Sequence, residues 1–332
     1  MAYILSIDHG GSKTRAIVCT DSGQTVYACD DLLMYYPQKP RVCFTWQEHI
    51  QRLLEEINEK VGAHKYAIAV LSTNGVNTPS ETRKAKNDLL NMVNASSVHV
   101  VEDCVAALRG CELPCFPNGI SVVLCAGSGF NCAMSIDGHD IQTLGWRINA
   151  CDQGGYAIGR RIWQAVVDDF NGMGKKTVLS ELLLVHYHRK SLGRLFDDIS
   201  NGKLRFSPEE LSPLLFAAFS SGDLIASNIV SELAERWLGY VHLMLKERCV
   251  ALGSPVKVYT SGGLFMDSSG VFEKALKDLS FKSPFHLECL EAKFPPVVGA
   301  ALLAFDKLHG KSLAEVQTEF QSSFSKMLVK MQ

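Results

Sequence analysis

Apolar residues along this chain follow two rhythms. Short apolar runs at residues 3–7, 16–19, 66–71, 98–101, 120–126 and 256–260 end in glycine, serine, threonine or acidic residues and predict strands. Longer stretches carry apolar residues three and four apart and predict helices. The stretch 46–61 is one, with Ile50, Leu53, Leu54, Ile57 and Val61 on a single face. Others are 81–93, 104–109, the segment bearing Ile162, Ala165, Val166 and Phe170, the long 223–249, 297–308 and 312–331. A further strand at 24–29 follows the Asp21-Ser22-Gly23 turn. Residues 31–45 are irregular, with Pro37 and Pro40 breaking any helix. They read either as a substrate loop or as a surface excursion.

One arrangement occurs twice. Residues 3–20 are a strand ending at Asp8, a small-residue turn containing Gly10 and Gly11, and a second strand. Residues 120–135 repeat it around Gly127-Ser128-Gly129. Such glycines let backbone N–H groups approach an anion, and a carboxylate at the strand end suits a hydrated divalent metal that accompanies phosphates. Each turn taken alone is equally well a structural hairpin. Recurrence favours two related α/β lobes, each offering a glycine turn to a nucleotide held between them. The first is expected over 1–117 and the second over 118–311, with a hinge at 114–119. A helical insertion at about 177–250 belongs to the second lobe, and the C-terminal helix 312–332 completes the first.

Composition narrows this picture. The 332 residues suffice for two cores, with 47% hydrophobic and 20% charged residues and a net charge of −2. No overall basic field argues for nucleic acid or an acidic membrane. No apolar run is long enough to cross a bilayer, and the N-terminus does not read as a signal peptide. The eleven cysteines are odd in number, and Cys19, Cys125, Cys132 and Cys249 sit inside apolar runs. That usage fits reduced thiols in a cytoplasmic protein. Cys104, Cys111 and Cys115 contain no Cys-x-x-Cys pair and make a poor zinc framework.

Chemistry concentrates at a few junctions. Glu102-Asp103 ends a strand and opens a helix, and ligands in α/β sheets bind outside such strand ends; Asp103 could equally cap that helix. Leu144-Gly145-Trp146 and Asp152-Gln153-Gly154-Gly155 precede a helix. Taken by itself, Trp146 reads as plain core. Gly262-Gly263 ends a strand, where backbone could lie against a flat nucleoside or simply turn.

These motifs, in this order, resemble the N-acetylglucosamine kinase branch of the actin-like ATPase and sugar kinase superfamily. That branch is grouped with the ATPase activators of benzoyl-CoA reductase. Asp8-His9-Gly10-Gly11-Ser12-Lys13-Thr14 resembles the first phosphate motif, with His9 in place of a glycine. Asp103 in Val-Glu-Asp-Cys-Val-Ala-Ala is similar to the catalytic aspartate, and Gly127-Ser128-Gly129-Phe130-Asn131 to the second phosphate motif. Gly145-Trp146 and Asp152-Gln153-Gly154 resemble elements near the sugar, Gly262-Gly263 the adenosine motif, and residues 296–303 the Pro-x-x-Gly-Ala-Ala-Leu-Leu segment. The asparagine that the family places after the third strand has no clear match in residues 32–40.

The resemblance implies two ribonuclease H-like (actin-like ATPase) lobes with an interlobe active-site cleft, and ATP-dependent phosphorylation of an amino-sugar hydroxyl, the 6-hydroxyl. It implies ATP and Mg²⁺, the metal at Asp8 and the catalytic base at Asp103. Phosphates and nucleotide fall to Gly10, Gly11, Ser12, Lys13, Thr14, Gly127, Ser128, Gly129, Gly262 and Gly263. The sugar falls to Asn131, Gly145, Trp146 and Asp152. The family also points to a homodimer. The alternative is an ATPase that activates a reductase or dehydratase and carries an iron–sulfur cluster, towards which Cys125 beside the second glycine turn has a passing likeness. A sugar sensor without catalysis is a third reading.

Overall fold

The computed structural model describes residues 2–11, 13–33, 46–62, 65–111, 118–309 and 314–331. The chain divides into two compact units, Met1–Val123 with Ala133–Trp146 and Glu291–Gln332, and Leu124–Cys132 with Arg147–Leu290. The expected hinge at 114–119 falls largely on residues 112–117, outside the described ones.

The first unit is built on a five-stranded sheet of order β3-β2-β1-β4-β5. Its strands are β1 (Tyr3–His9), β2 (Lys13–Thr20), β3 (Thr25–Leu33), β4 (Tyr66–Thr73) and β5 (Val98–Glu102). β1 pairs antiparallel with β2 and parallel with β4, and β4 parallel with β5. Alternation along β1 separates two cores. Leu5 and Ile7 pack with α1 (Trp46–Val61) and α2 (Pro79–Met92) through Ile50, Leu53, Ile57 and Leu89. Ile4 packs on the opposite face with α10 (Pro296–His309) and α11 (Ala314–Met331), through Val298, Ala301, Phe305 and Phe320. α2 begins as its sequence directs: Thr78 accepts from the Glu81 N–H and donates to its carboxylate, and Pro79 opens the first turn.

α3 (Asp103–Gly110) lies tightly on α10. A Cβ on Gly299 would stand 1.8 Å from the Ala106 carbonyl oxygen, so no side chain fits there. Next to this contact the buried Arg109 donates two hydrogen bonds, of 2.7 and 3.2 Å, to Asp306. The helix whose first residue is Asp103 is thereby held by backbone-to-backbone packing and a two-point ion pair.

A second sheet has the order β10-β9-β6-β7-β8, and the division between the units cuts β6 (Ile120–Ala126) and β7 (Phe130–Ile136). β8 is His139–Thr143, β9 Pro255–Ser261 and β10 His286–Glu291. Between β8 and β9 run α4 (Gly154–Phe170), α5 (Leu179–His186), α6 (Leu192–Ser200), α7 (Ser212–Ser220) and α8 (Leu224–Glu247), and α9 (Val271–Ser280) follows β9. The second unit's core centres on the fully buried Trp237, stacked on Phe130 at 4.9 Å and packed on Phe272 at 4.8 Å. Among the described residues no helix is long and apolar enough to cross a membrane.

Gly299→Ala should lower folding stability by about 3 kcal/mol, because α10 and α3 must separate to admit the methyl group. Urea unfolding of the variant measures this; an unchanged midpoint would contradict the packing described.

Candidate functional site

In the first unit the parallel arrangement of β1, β4 and β5 brings three strand ends together, with Asp8 opposite Ser72 and Thr73 opposite Glu102. The half-buried Asp8 accepts a 2.9 Å hydrogen bond from the Ser72 hydroxyl. Loss of water, and to a lesser extent the neighbouring Asp103 charge, push its carboxyl up to about 7, against the opposing pull of Ser72 and Arg15. Asp103 is the first residue of α3, not its cap. Glu102 holds the cap position without a side-chain bond to the helix, while Asp103 Oδ1 accepts from the adjacent Cys104 N–H at 2.8 Å.

Gly10 is half-buried and Gly11 exposed at the turn after β1. Ser12 and the side chain of Lys13 lie outside the described residues. Thr14 is fully buried, and its hydroxyl is bonded to His9 Nδ1 at 2.8 Å, so this pair braces the turn from within. His9 follows strand alternation away from Asp8, towards His49 at 6.0 Å. Burial, reinforced by His49, lowers its pKa to about 4, so it is neutral at physiological pH. His9 also borders a cavity of about 370 Å³ lined with Trp46, Gln47, Thr73, Asn74 and Lys84.

A turn after β8 carries Gly145 and Trp146. Gly145 has φ +52° and lies against Asn77, whose Cβ would be 3.2 Å from an added Cβ. Thr143, at the end of β8, donates to Glu102 Oε1 at 2.5 Å. Trp146 is 74% exposed, which excludes the core reading of that residue.

In the second unit the Gly127-Ser128-Gly129 turn closes on itself, Gly127 N–H to the Gly129 carbonyl at 2.9 Å. Its other carbonyls accept from the start of α4: Gly155 N–H to Gly127 at 2.8 Å and Tyr156 N–H to Ser128 at 2.9 Å. Gly154, at φ +39°, is required here, since a Cβ would lie 2.2 Å from the Gly129 carbonyl oxygen. Gln153 seals the far end by accepting from the Phe130 N–H at 3.0 Å. Gly262, at φ +105°, is pressed on the Ala126 carbonyl, 2.4 Å from where its Cβ would be. Gly127 and Gly263 differ. An added Cβ at either meets nothing within 4 Å, so each presents bare backbone to open space. Asn131, half-buried at the start of β7, turns its side-chain oxygen to the Cys132 N–H at 2.9 Å.

Asp152 is buried, and its Oδ2 accepts from Arg236 at 2.8 and 3.0 Å and from the Tyr240 hydroxyl at 2.7 Å, with Arg161 3.7 Å from Oδ1. Its backbone carbonyl accepts from Trp237 Nε1 at 3.0 Å. The residue expected to touch sugar is thus an internal anchor that fastens the segment before α4 to α8. Among the described residues no group of three or more His, Cys, Asp or Glu side chains is placed to cage a metal. The oxygen donors at Asp8 suit an ion that keeps most of its waters, as magnesium does.

A profile of the BadF/BadG/BcrA/BcrD ATPase family matches residues 5–304. The chain belongs to this family. Solved structures similar to this chain include a candidate N-acetylglucosamine kinase from Chromobacterium violaceum, with 17% identity and a TM-score of 0.67 over 92% of this chain and 99% of that one. A candidate N-acetylglucosamine kinase from Porphyromonas gingivalis also has 17% identity, with a TM-score of 0.57 over 93% and 100%. The ROK hexokinase of Thermus thermophilus has 16% identity and a TM-score of 0.53 over 90% and 97%. At these identities the likeness establishes the fold, that of the actin-like ATPases. A comparison with curated proteins found no match.

Several residues that shape this candidate site carry little sequence signal. Ser72 reads only as a strand exit, Thr143 lies in a polar stretch, and Arg236 and Tyr240 are polar positions four apart on a long helix. Gly262→Ala should cost about 2–4 kcal/mol of stability, from its positive φ and the clash with Ala126, whereas Gly263→Ala should stay within about 0.5 kcal/mol of the parent. Thermal unfolding of the pair checks this, and equal losses would show that Gly263 is packed like its neighbour.

Proposed function

We propose that this protein is an ATP-dependent sugar kinase that phosphorylates a hydroxyl, the 6-hydroxyl, of an amino sugar such as N-acetylglucosamine or glucosamine. The observation that carries the proposal is the corner where Asp8, Ser72 and Asp103 converge at the ends of three strands, in a chain from an ATPase family. Support for the acceptor class comes from the two similar structures described as candidate N-acetylglucosamine kinases, and from a candidate N-acetylmannosamine kinase of Listeria monocytogenes with 13% identity and a TM-score of 0.52.

Phosphoryl transfer depends mainly on positioning and charge stabilisation. Asp103 accepts the proton of the acceptor hydroxyl as its oxygen bonds to the γ-phosphorus, and the bond from that phosphorus to the bridging oxygen breaks to leave ADP. Gly10 and Gly11 offer backbone N–H groups to the transferring phosphate, with Ser12, Lys13 and Thr14 in the same motif. Gly127, Ser128 and Gly129 serve the phosphate tail, and Gly262 and Gly263 the nucleoside. Asp8 would hold magnesium, and the cation would supply charge neutralisation at the phosphates and relieve the cost of the Asp8 carboxylate beside Asp103. Trp146 offers its exposed face to the sugar ring, and Gly145 and Asn131 are the further sugar residues of this reading. Asp152 contributes by orienting Arg236, Tyr240 and the segment before α4.

Asp103→Asn should lower kcat for sugar phosphorylation by about 10² or more while ATP affinity changes by less than about threefold. Coupled ADP assays and nucleotide titration measure the two quantities. Near-parent turnover would remove Asp103 from the base role.

A further inference from the structure

Glu102 is the residue immediately before Asp103, and no part of the phosphoryl-transfer chemistry requires it. Its position would suit a helix cap, yet its side chain makes no capping bond to α3. The carboxylate instead accepts from Thr143 at 2.5 Å, a charge-assisted contact between residues 41 apart in the chain. Thr143 ends β8, and only Leu144 and Gly145 separate it from the exposed Trp146. The same turn is pinned a second time where Gly145, with its left-handed φ, lies on Asn77 in the loop after β4. Both contacts lie within the first unit, and both join the Trp146 turn to the strand ends that carry Ser72 and Asp103.

We infer that Glu102 is a positioning residue: through Thr143 it sets the turn that presents Trp146, and so fixes where an acceptor sugar lies relative to Asp103. The inference rests on the sugar-kinase reading for its kinetic consequence and not for its structural one. A ring resting on Trp146 has its hydroxyl in reach of Asp103 only when the two are held in register, and displacements of about 1 Å are enough to cost rate. The Glu102–Thr143 hydrogen bond is the direct link between the residue beside the base and the strand that leads to the platform. Its loss weakens productive sugar binding and leaves the nucleotide's glycine turns unaltered.

Thr143→Val keeps the side-chain shape and removes the donor, Thr143→Ser keeps the donor, and Glu102→Ala removes the acceptor. Thr143→Val and Glu102→Ala should each raise the sugar KM about tenfold with the ATP KM within about twofold, Thr143→Ser should remain near the parent, and the double variant should be no worse than either single one. In ligand-free protein, the fluorescence anisotropy of Trp146, taken as the difference from matching Trp146→Phe proteins, should fall in Thr143→Val and Glu102→Ala alone. A sugar KM that moves no more than the ATP KM, or an unchanged Trp146 anisotropy, overturns the inference. If the parent protein phosphorylates no sugar, the kinase reading falls instead, and the anisotropy decides the positioning role by itself.

Discussion

Two carboxylates at one corner, one of them largely withdrawn from water, set the terms for the first unit. Asp8 is carried there by β1 and Asp103 by the junction of β5 and α3. Burial together with the second charge raises the Asp8 carboxyl to about 7. A fold does not keep such an arrangement for stability, since a buried carboxylate beside another costs free energy unless a cation or a proton offsets it. The surroundings nevertheless enforce it. Ser72 holds Asp8 by a hydrogen bond, and α3 cannot drift because Gly299 brings α10 against its backbone and Asp306 grips Arg109. Rigid packing around an electrostatically costly pair is the pattern of a site arranged for a charged ligand.

Glycines of the second unit divide by the same logic. At Gly154 and Gly262 the chain itself excludes a side chain, since carbonyl oxygens lie 2.2 and 2.4 Å from where a Cβ would be. These residues build the turn. At Gly127 and Gly263 nothing of the protein occupies that space. Bare backbone facing open space is what a close-lying phosphate or nucleoside would require, and under the proposed kinase reading that part falls to Gly127 and Gly263.

Much of this could be read along the chain, and the rest could not for physical reasons. Strand-terminal acids and glycine turns are local patterns, which is why Asp8, Asp103 and both hairpins stand out in the sequence. Strand alternation alone would have turned His9 away from Asp8, as the structure does. β8 and β10 are short edge strands with many polar, exposed positions, and α9 begins at a left-handed Gly270 without a capping side chain, so none announces itself. The surroundings of Asp152 are set by Arg236 and Tyr240, 84 and 88 residues away, and no local pattern reveals that its carboxylate is enclosed. Likewise no local pattern shows that Gly145 lies against Asn77 or that Trp146 is exposed.

The account is tested most directly by following ADP formation from ATP while acceptors are varied across N-acetylglucosamine, glucosamine, N-acetylgalactosamine, N-acetylmannosamine, N-acetylmuramic acid and glucose, with the product identified by phosphorus NMR. It predicts ADP in equal amount to a phosphorylated amino sugar, with little release when no sugar is present. ADP release at one rate with every sugar and with none would contradict it.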